Sequence, residues 1–164
     1  MARLNSIDNF KALLERLVGK HDSNTRTIVI PAGTCGRASG TDEIVRIVDQ
    51  EIQDRGLGDS LRVRVTGCHG FCQMEPSVLI EPERTFYPKV NAKTITQIVD
   101  AAAKGEVLED LLFKAPNTDT PVQKQDDVPF FNKQVRTILS RNERIEPTSI
   151  EDYIVHGGYS TFAK

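Results

Sequence analysis

The chain has 164 residues, three cysteines, no tryptophan and a formal net charge of −2 from 21 basic and 23 acidic side chains. That length holds one ordinary domain plus a tail, and the near-balanced charge gives no electrostatic case for nucleic acid or an anionic membrane surface. No apolar run reaches the ~18 residues of a spanning helix, the N-terminus lacks the apolar region of a secretory signal, and few, odd-numbered cysteines fit a reducing compartment, so the expectation is a cytoplasmic protein without membrane insertion.

In chain order, residues 6–20 predict an amphipathic helix, with Ser6 as N-cap and Ile7, Phe10, Leu13, Leu14, Leu17 and Val18 at helical spacing. Arg26 to Ile30 reads as a short strand ended by Pro31, which cannot donate to a ladder. Thr41 to Arg55 predicts a second helix capped by Thr41, with Ile44, Val45, Ile47, Val48 and Ile52 inward, stopped by Gly56 and Gly58. Leu61 to Thr66 is the next strand. Ser77 to Ile80 and Phe86 to Val90 are two more, joined by residues 81–85 as a hairpin. Thr94 to Lys104 predicts a third helix, capped by Asn91 or Thr94, with Ile95, Ile98, Val99 and Ala102 inward and Gly105 after its end; 107–113 adds a further turn. A helix between the early strands implies a parallel pair, and the late hairpin adds an antiparallel edge. This is the element order of an α/β, thioredoxin-like layer, a small mixed sheet with helices on both faces.

Composition shifts at Lys114. Residues 114–128 are rich in polar groups and proline and read as an extended linker, which buries too little to fold alone. Residues 129–164 regain order signals: Val135, Ile138 and Leu139 at helical spacing, then a helix near Ile150 to Ile154 capped by Thr148 or Ser149. A helical tail this short lacks a core of its own and must pack on the first domain or on another protein. The expected division is 1–113, 114–128 and 129–164.

Chemistry concentrates in the cysteines. Cys35 follows the first strand in Ala32-Gly33-Thr34-Cys35-Gly36, and Cys68 and Cys72 follow the second in Gly67-Cys68-His69-Gly70-Phe71-Cys72. Thiolates on two glycine-bearing loops at neighbouring strand ends point to an iron–sulfur or redox site, with loop N–H groups near sulfur to stabilise its negative charge. Isolated buried thiols are the bland alternative. His69 is a candidate fourth ligand, since imidazole replaces thiolate in some two-iron centres. A structural zinc site would use the same four groups. The three residues between Cys68 and Cys72 argue against a thioredoxin-type dithiol, whose motif has two. Pro76, ahead of the third strand, stands where thioredoxin-like folds often carry a cis proline.

Three stretches resemble the thioredoxin-like [2Fe-2S] ferredoxin domain that begins many NADH-binding flavoprotein subunits of soluble hydrogenases and complex I relatives. They are residues 33–40 (Gly-Thr-Cys-Gly-Arg-Ala-Ser-Gly), residues 66–72 with Glu75-Pro76-Ser77-Val78, and Phe86-Tyr87-Pro88-Lys89-Val90. Pro129-Phe130-Phe131-Asn132-Lys133-Gln134 and residues 150–159 resemble the entry into the flavoprotein core. The resemblance implies an electron-transfer module of an NAD(P)H-dependent oxidoreductase, with a [2Fe-2S] cluster on Cys35, Cys68 and Cys72. FMN and NAD(H) would belong to the remainder of the subunit or to a partner, and the partners would be the flavoprotein core and other subunits of the complex. The family pattern carries a fourth cysteine. Aligned on Gly33-Thr34 and Ala38-Ser39-Gly40, its two first-loop positions fall on Pro31 and Gly36, so Cys35 matches only with a one-residue shift. A cluster-free docking module of the same complex is the alternative.

Overall fold

In this computed structural model residues 5–20, 25–116 and 118–163 are described. Helix α1 spans Ile7–Lys20, β1 Arg26–Pro31, α2 Thr34–Ala38, α3 Thr41–Asp54 and β2 Leu61–Thr66. They are followed by β3 Val78–Glu81, β4 Thr85–Tyr87 and α4 Ala92–Lys104. The C-terminal third adds β5 Phe113–Lys114, β6 Pro121–Val122, α5 Pro129–Asn132 and α6 Ile150–Val155.

Four strands form one mixed sheet in the order β2-β1-β3-β4. β1 runs parallel to β2, pairing Ile28 with Val63 and Ile30 with Val65. β3 is antiparallel to both β1 and β4. The expected parallel pair with an antiparallel hairpin edge is therefore present, and the molecule is the mixed α/β layer that the element order predicts. Both Glu75–Pro76 and Glu81–Pro82 are cis peptides, the first where the sequence placed one.

Alternation along the central strands divides the core. Ile28, Ile30, Val78 and Ile80 face α3 and α4, packing with Ile44, Val48, Ile95, Ile98 and Val99. Val29, Leu79 and Phe86 face the other way, where Phe113, Val128 and Phe131 cover them. Burying these side chains supplies about 1.5–3 kcal/mol each before the entropy of ordering them is subtracted. α4 begins with Asn91 accepting from the N–H groups of Lys93 and Thr94, while Thr94 Oγ1 accepts from Asn91 N, a reciprocal cap. It ends at Gly105 with φ +77°, the left-handed geometry glycine adopts without strain.

Four local expectations are revised. The N-cap of α3 is Gly40, not Thr41, because Thr41 is fully buried and its hydroxyl makes no cap. Cys35 lies in an unforeseen one-turn helix, α2, rather than in an open loop. Residues 114–128, read as an extended linker, pair β5 with β6, bridge Lys124 to Thr85 and bury Gln125 and Val128. Val135 and Ile138, read as one face of a helix, are 96% and 89% exposed on an irregular segment. The tail packs on the first domain, with α6 against α1. A groove of about 930 Å³ between them is lined by Ile7, Phe10, Leu13, Ile154 and Phe162. Among the described residues no helix is long and apolar enough to cross a membrane.

Candidate metal centre

The site forms where β1 and β2, parallel neighbours, end side by side. Ala32 N donates to Thr66 O at 2.9 Å, carrying the ladder one step past the strands. The two cysteine-bearing segments therefore leave the sheet together. Gly33 abuts Cys68 so closely that a Cβ at position 33 would lie 2.8 Å from the Cys68 Cβ. Gly36 packs on the Pro31 carbonyl, where a Cβ would approach the oxygen to 2.8 Å. Glycine at 33 lets the two segments touch, and glycine at 36 lets the first fold against the end of its own strand.

Three cysteines stand at this edge, and the Cys72 thiol is perturbed by both Cys35 and Cys68, so the three share one neighbourhood. All three are free; Cys35 and Cys72 are exposed and Cys68 is half-buried. The Cys72 thiol is pushed up, first by its hydrogen bond with Cys35 and then by burial and the like charge of Cys35. Burial also pushes the Cys68 thiol up, opposed by the Gly70 N–H, which reaches Cys68 Sγ at 3.2 Å.

His69 is placed differently. Its ring is buried, and its Nε2 lies 2.9 Å from Thr66 Oγ1. Burial lowers its pKa to about 4, with Arg136 and Arg84 acting in the same direction and Glu143 against them. Glu75, also buried, lies below the loops. Its carboxylate accepts from Ser77 N at 2.9 Å and from Ser77 Oγ at 3.3 Å, and burial raises its pKa to about 7. Among the described residues no three His, Cys, Asp or Glu side chains stand ready-arranged around a metal ion. The donors at this edge are three free thiols, so a cluster held by them would need a fourth, non-cysteine group.

Sequence reasoning missed the contribution of the tail. Arg136 donates to the His69 carbonyl at 2.7 Å, and Asn142 to the Cys68 carbonyl at 2.9 Å. No local pattern marks contacts that span 67 and 74 residues. The one available signal was that a coreless tail must pack somewhere.

A mixed sheet in the order β2-β1-β3-β4 with cysteines at adjacent strand ends is a small thioredoxin-like layer with a thiol-bearing edge. The 2Fe-2S ferredoxin of Clostridium pasteurianum is 36% identical over 70 residues, which are 42% of this chain and 69% of that protein. The chain belongs to this [2Fe-2S] ferredoxin family. The wild-type thioredoxin-like [2Fe-2S] ferredoxin from Aquifex aeolicus has the same fold, with a TM-score of 0.50 at 22% identity, over 54% of this chain and 95% of that one. No family model matches the chain.

Proposed function

We propose that this chain is the electron-transfer N-terminal module of an NAD(P)H-dependent oxidoreductase complex, bound to a flavin-containing core. Cys35, Cys68, Cys72 and a fourth, non-cysteine group would hold a [2Fe-2S] cluster. The observation that carries the reading is that the Cys35 segment and the Cys68–Cys72 segment leave the parallel strands β1 and β2 side by side, in contact at Gly33, with Cys68 Sγ already accepting a backbone N–H. The relative from Clostridium pasteurianum, a 2Fe-2S ferredoxin by name, supports the choice of cluster. A bound cluster supplies reversible one-electron chemistry, so no general acid or base is required of the protein. The chain's own work is to bind and to orient: Gly33 lets the two segments touch, Gly36 lets the first turn back on the Pro31 carbonyl, and Gly70 N–H stabilises negative charge on sulfur. Attachment to a flavoprotein core rests on the resemblance of residues 129–134 and 150–159. FMN and NAD(H) belong to that core in this proposal.

The missing fourth thiolate favours one other reading, the same fold kept without a cluster as a docking module. Anaerobic reconstitution of the full chain separates the two. The electron carrier takes up about two irons and two acid-labile sulfides per chain, absorbs near ~400–460 nm and gives an EPR signal on reduction. A colourless chain with three freely titrating thiols leaves the docking module, and zinc in place of iron rejects both. Cys72→Ser, which removes the central thiol, is expected to abolish cluster uptake.

A further inference from the structure

The cysteine loop is held from behind by the segment between α5 and α6. Arg136 Nη2 donates to His69 O at 2.7 Å, and Asn142 Nδ2 donates to Cys68 O at 2.9 Å. A trans peptide points its C=O and N–H to opposite sides. In the His69–Gly70 peptide the carbonyl side faces Arg136, and the N–H side faces Cys68 Sγ at 3.2 Å. One peptide unit therefore joins a guanidinium to a sulfur through two consecutive hydrogen bonds. Such chains polarise cooperatively, so the cation strengthens the N–H···S bond beyond what an unpaired peptide would give.

The guanidinium is itself fixed. Its Nη1 pairs with Glu143, which also binds Arg84 at 3.0 Å, and it lies 5.3 Å from the centroid of the Phe131 ring. Gly70 takes φ +93°, a turn that favours glycine, and Leu139 packs so closely that a Cβ at position 70 would lie 3.2 Å from it.

We propose that Arg136 is a positioning residue for the Cys68 sulfur, acting through the His69–Gly70 peptide, with Asn142 as a second clasp on the same loop. The clasp stands on this chain alone; its effect on a cluster rests on the function proposed above. With a cluster bound, the cation favours the more negative, reduced state, so losing it lowers the midpoint potential.

The test uses the full chain and the variants Arg136→Ala, Arg136→Lys and Asn142→Ala. Without cluster, NMR hydrogen exchange is read at the Gly70 amide, with the α3 and α4 amides as a control for folding. Arg136→Ala is expected to speed Gly70 exchange about tenfold, the loss of one hydrogen bond's worth of protection. Asn142→Ala is expected to speed it less, and Arg136→Lys to restore most of the protection. With cluster, Arg136→Ala is expected to lower the potential by about 59 mV, a tenfold shift in a one-electron equilibrium, with Lys rescuing. Unchanged Gly70 exchange in a folded Arg136→Ala chain overturns the clasp. Faster exchange with an unmoved potential overturns the electronic role. Should Arg136→Ala unfold, Arg136→Met with Glu143→Gln removes both charges together and carries the same comparison. A chain that takes up no iron sinks the proposed function, and Gly70 exchange still decides the clasp.

Discussion

Gly33 is where the two cysteine-bearing segments touch. A methyl group there would meet Cys68 Cβ at 2.8 Å and its Cα at 3.3 Å, and neither backbone can yield without moving a strand end. Gly33→Ala is expected to destabilise the chain by about 1–3 kcal/mol and to reduce iron uptake; urea unfolding and iron analysis read the two effects separately. Beneath the loops, two buried groups titrate in opposite senses. His69, lowered from 6.5 to about 4, contributes stability that is full above pH 6.5 and is lost as pH falls toward 4. Glu75, raised from 4.5 to about 7, contributes stability that is full below pH 4.5 and is lost as pH rises through 7. Each amounts to about 3 kcal/mol, so between pH 4.5 and 6.5 they nearly cancel. Glu75→Gln removes one side of that balance. In the cluster-free chain it is expected to stabilise by up to about 3 kcal/mol above pH 7 and by nothing below pH 4.5, leaving a new loss of stability between pH 6.5 and 4. Urea midpoints at three pH values check it, and parallel profiles for the two proteins would refute it.

Among the elements, α5 is a single turn with a large role. Phe131 is buried, with its ring edge-on to Phe71 at 5.6 Å and to Phe86 at 5.8 Å, so it ties the tail to both the cysteine loop and the sheet. Phe131→Ala is expected to cost about 3–5 kcal/mol, seen as a lower urea midpoint, whereas truncating the exposed Phe162 should leave it unmoved. The regular elements were legible because their signals are local. α3 and α4 announce themselves by apolar period with glycine after their ends, and the β3–β4 hairpin by two short apolar runs around the proline-bearing turn at residues 82–84. The thiol-bearing loops were legible as strand ends, and their convergence followed from parallel pairing of β1 with β2. α2 was not, since five residues with a glycine at the centre are too few to show a period. Val135, Ile138 and Leu139 do show one, yet the segment stays irregular. Arg136 and Asn142 are used there to reach loop carbonyls, and that long-range requirement overrides the local pattern.

For the whole molecule, the decisive feature is a sheet that is apolar on both faces but receives long helices on only one. α3 and α4 cover the Ile28 and Ile80 side. On the Val29, Leu79 and Phe86 side the cover comes from Phe113, Val128 and Phe131, two of which lie beyond residue 113. The polar stretch 114–128 hid this in the sequence, because one Val at position 128 and one Gln at 125 do its burying amid exposed neighbours. A boundary after 113 therefore cuts through a core. Arg84 makes the same point in charge: it pairs with Asp126 at 2.8 Å and Glu143 at 3.0 Å, both on the far side of that cut. A chain ending at residue 113 loses these partners and bares three large apolar side chains on one face. It is expected to bind a hydrophobic dye such as ANS and to unfold at lower urea than residues 1–164, which should unfold in one transition. Matching midpoints, with no dye bound by the shorter chain, would mean that the second face needs no cover and that residues 114–164 are an appendage rather than part of the fold.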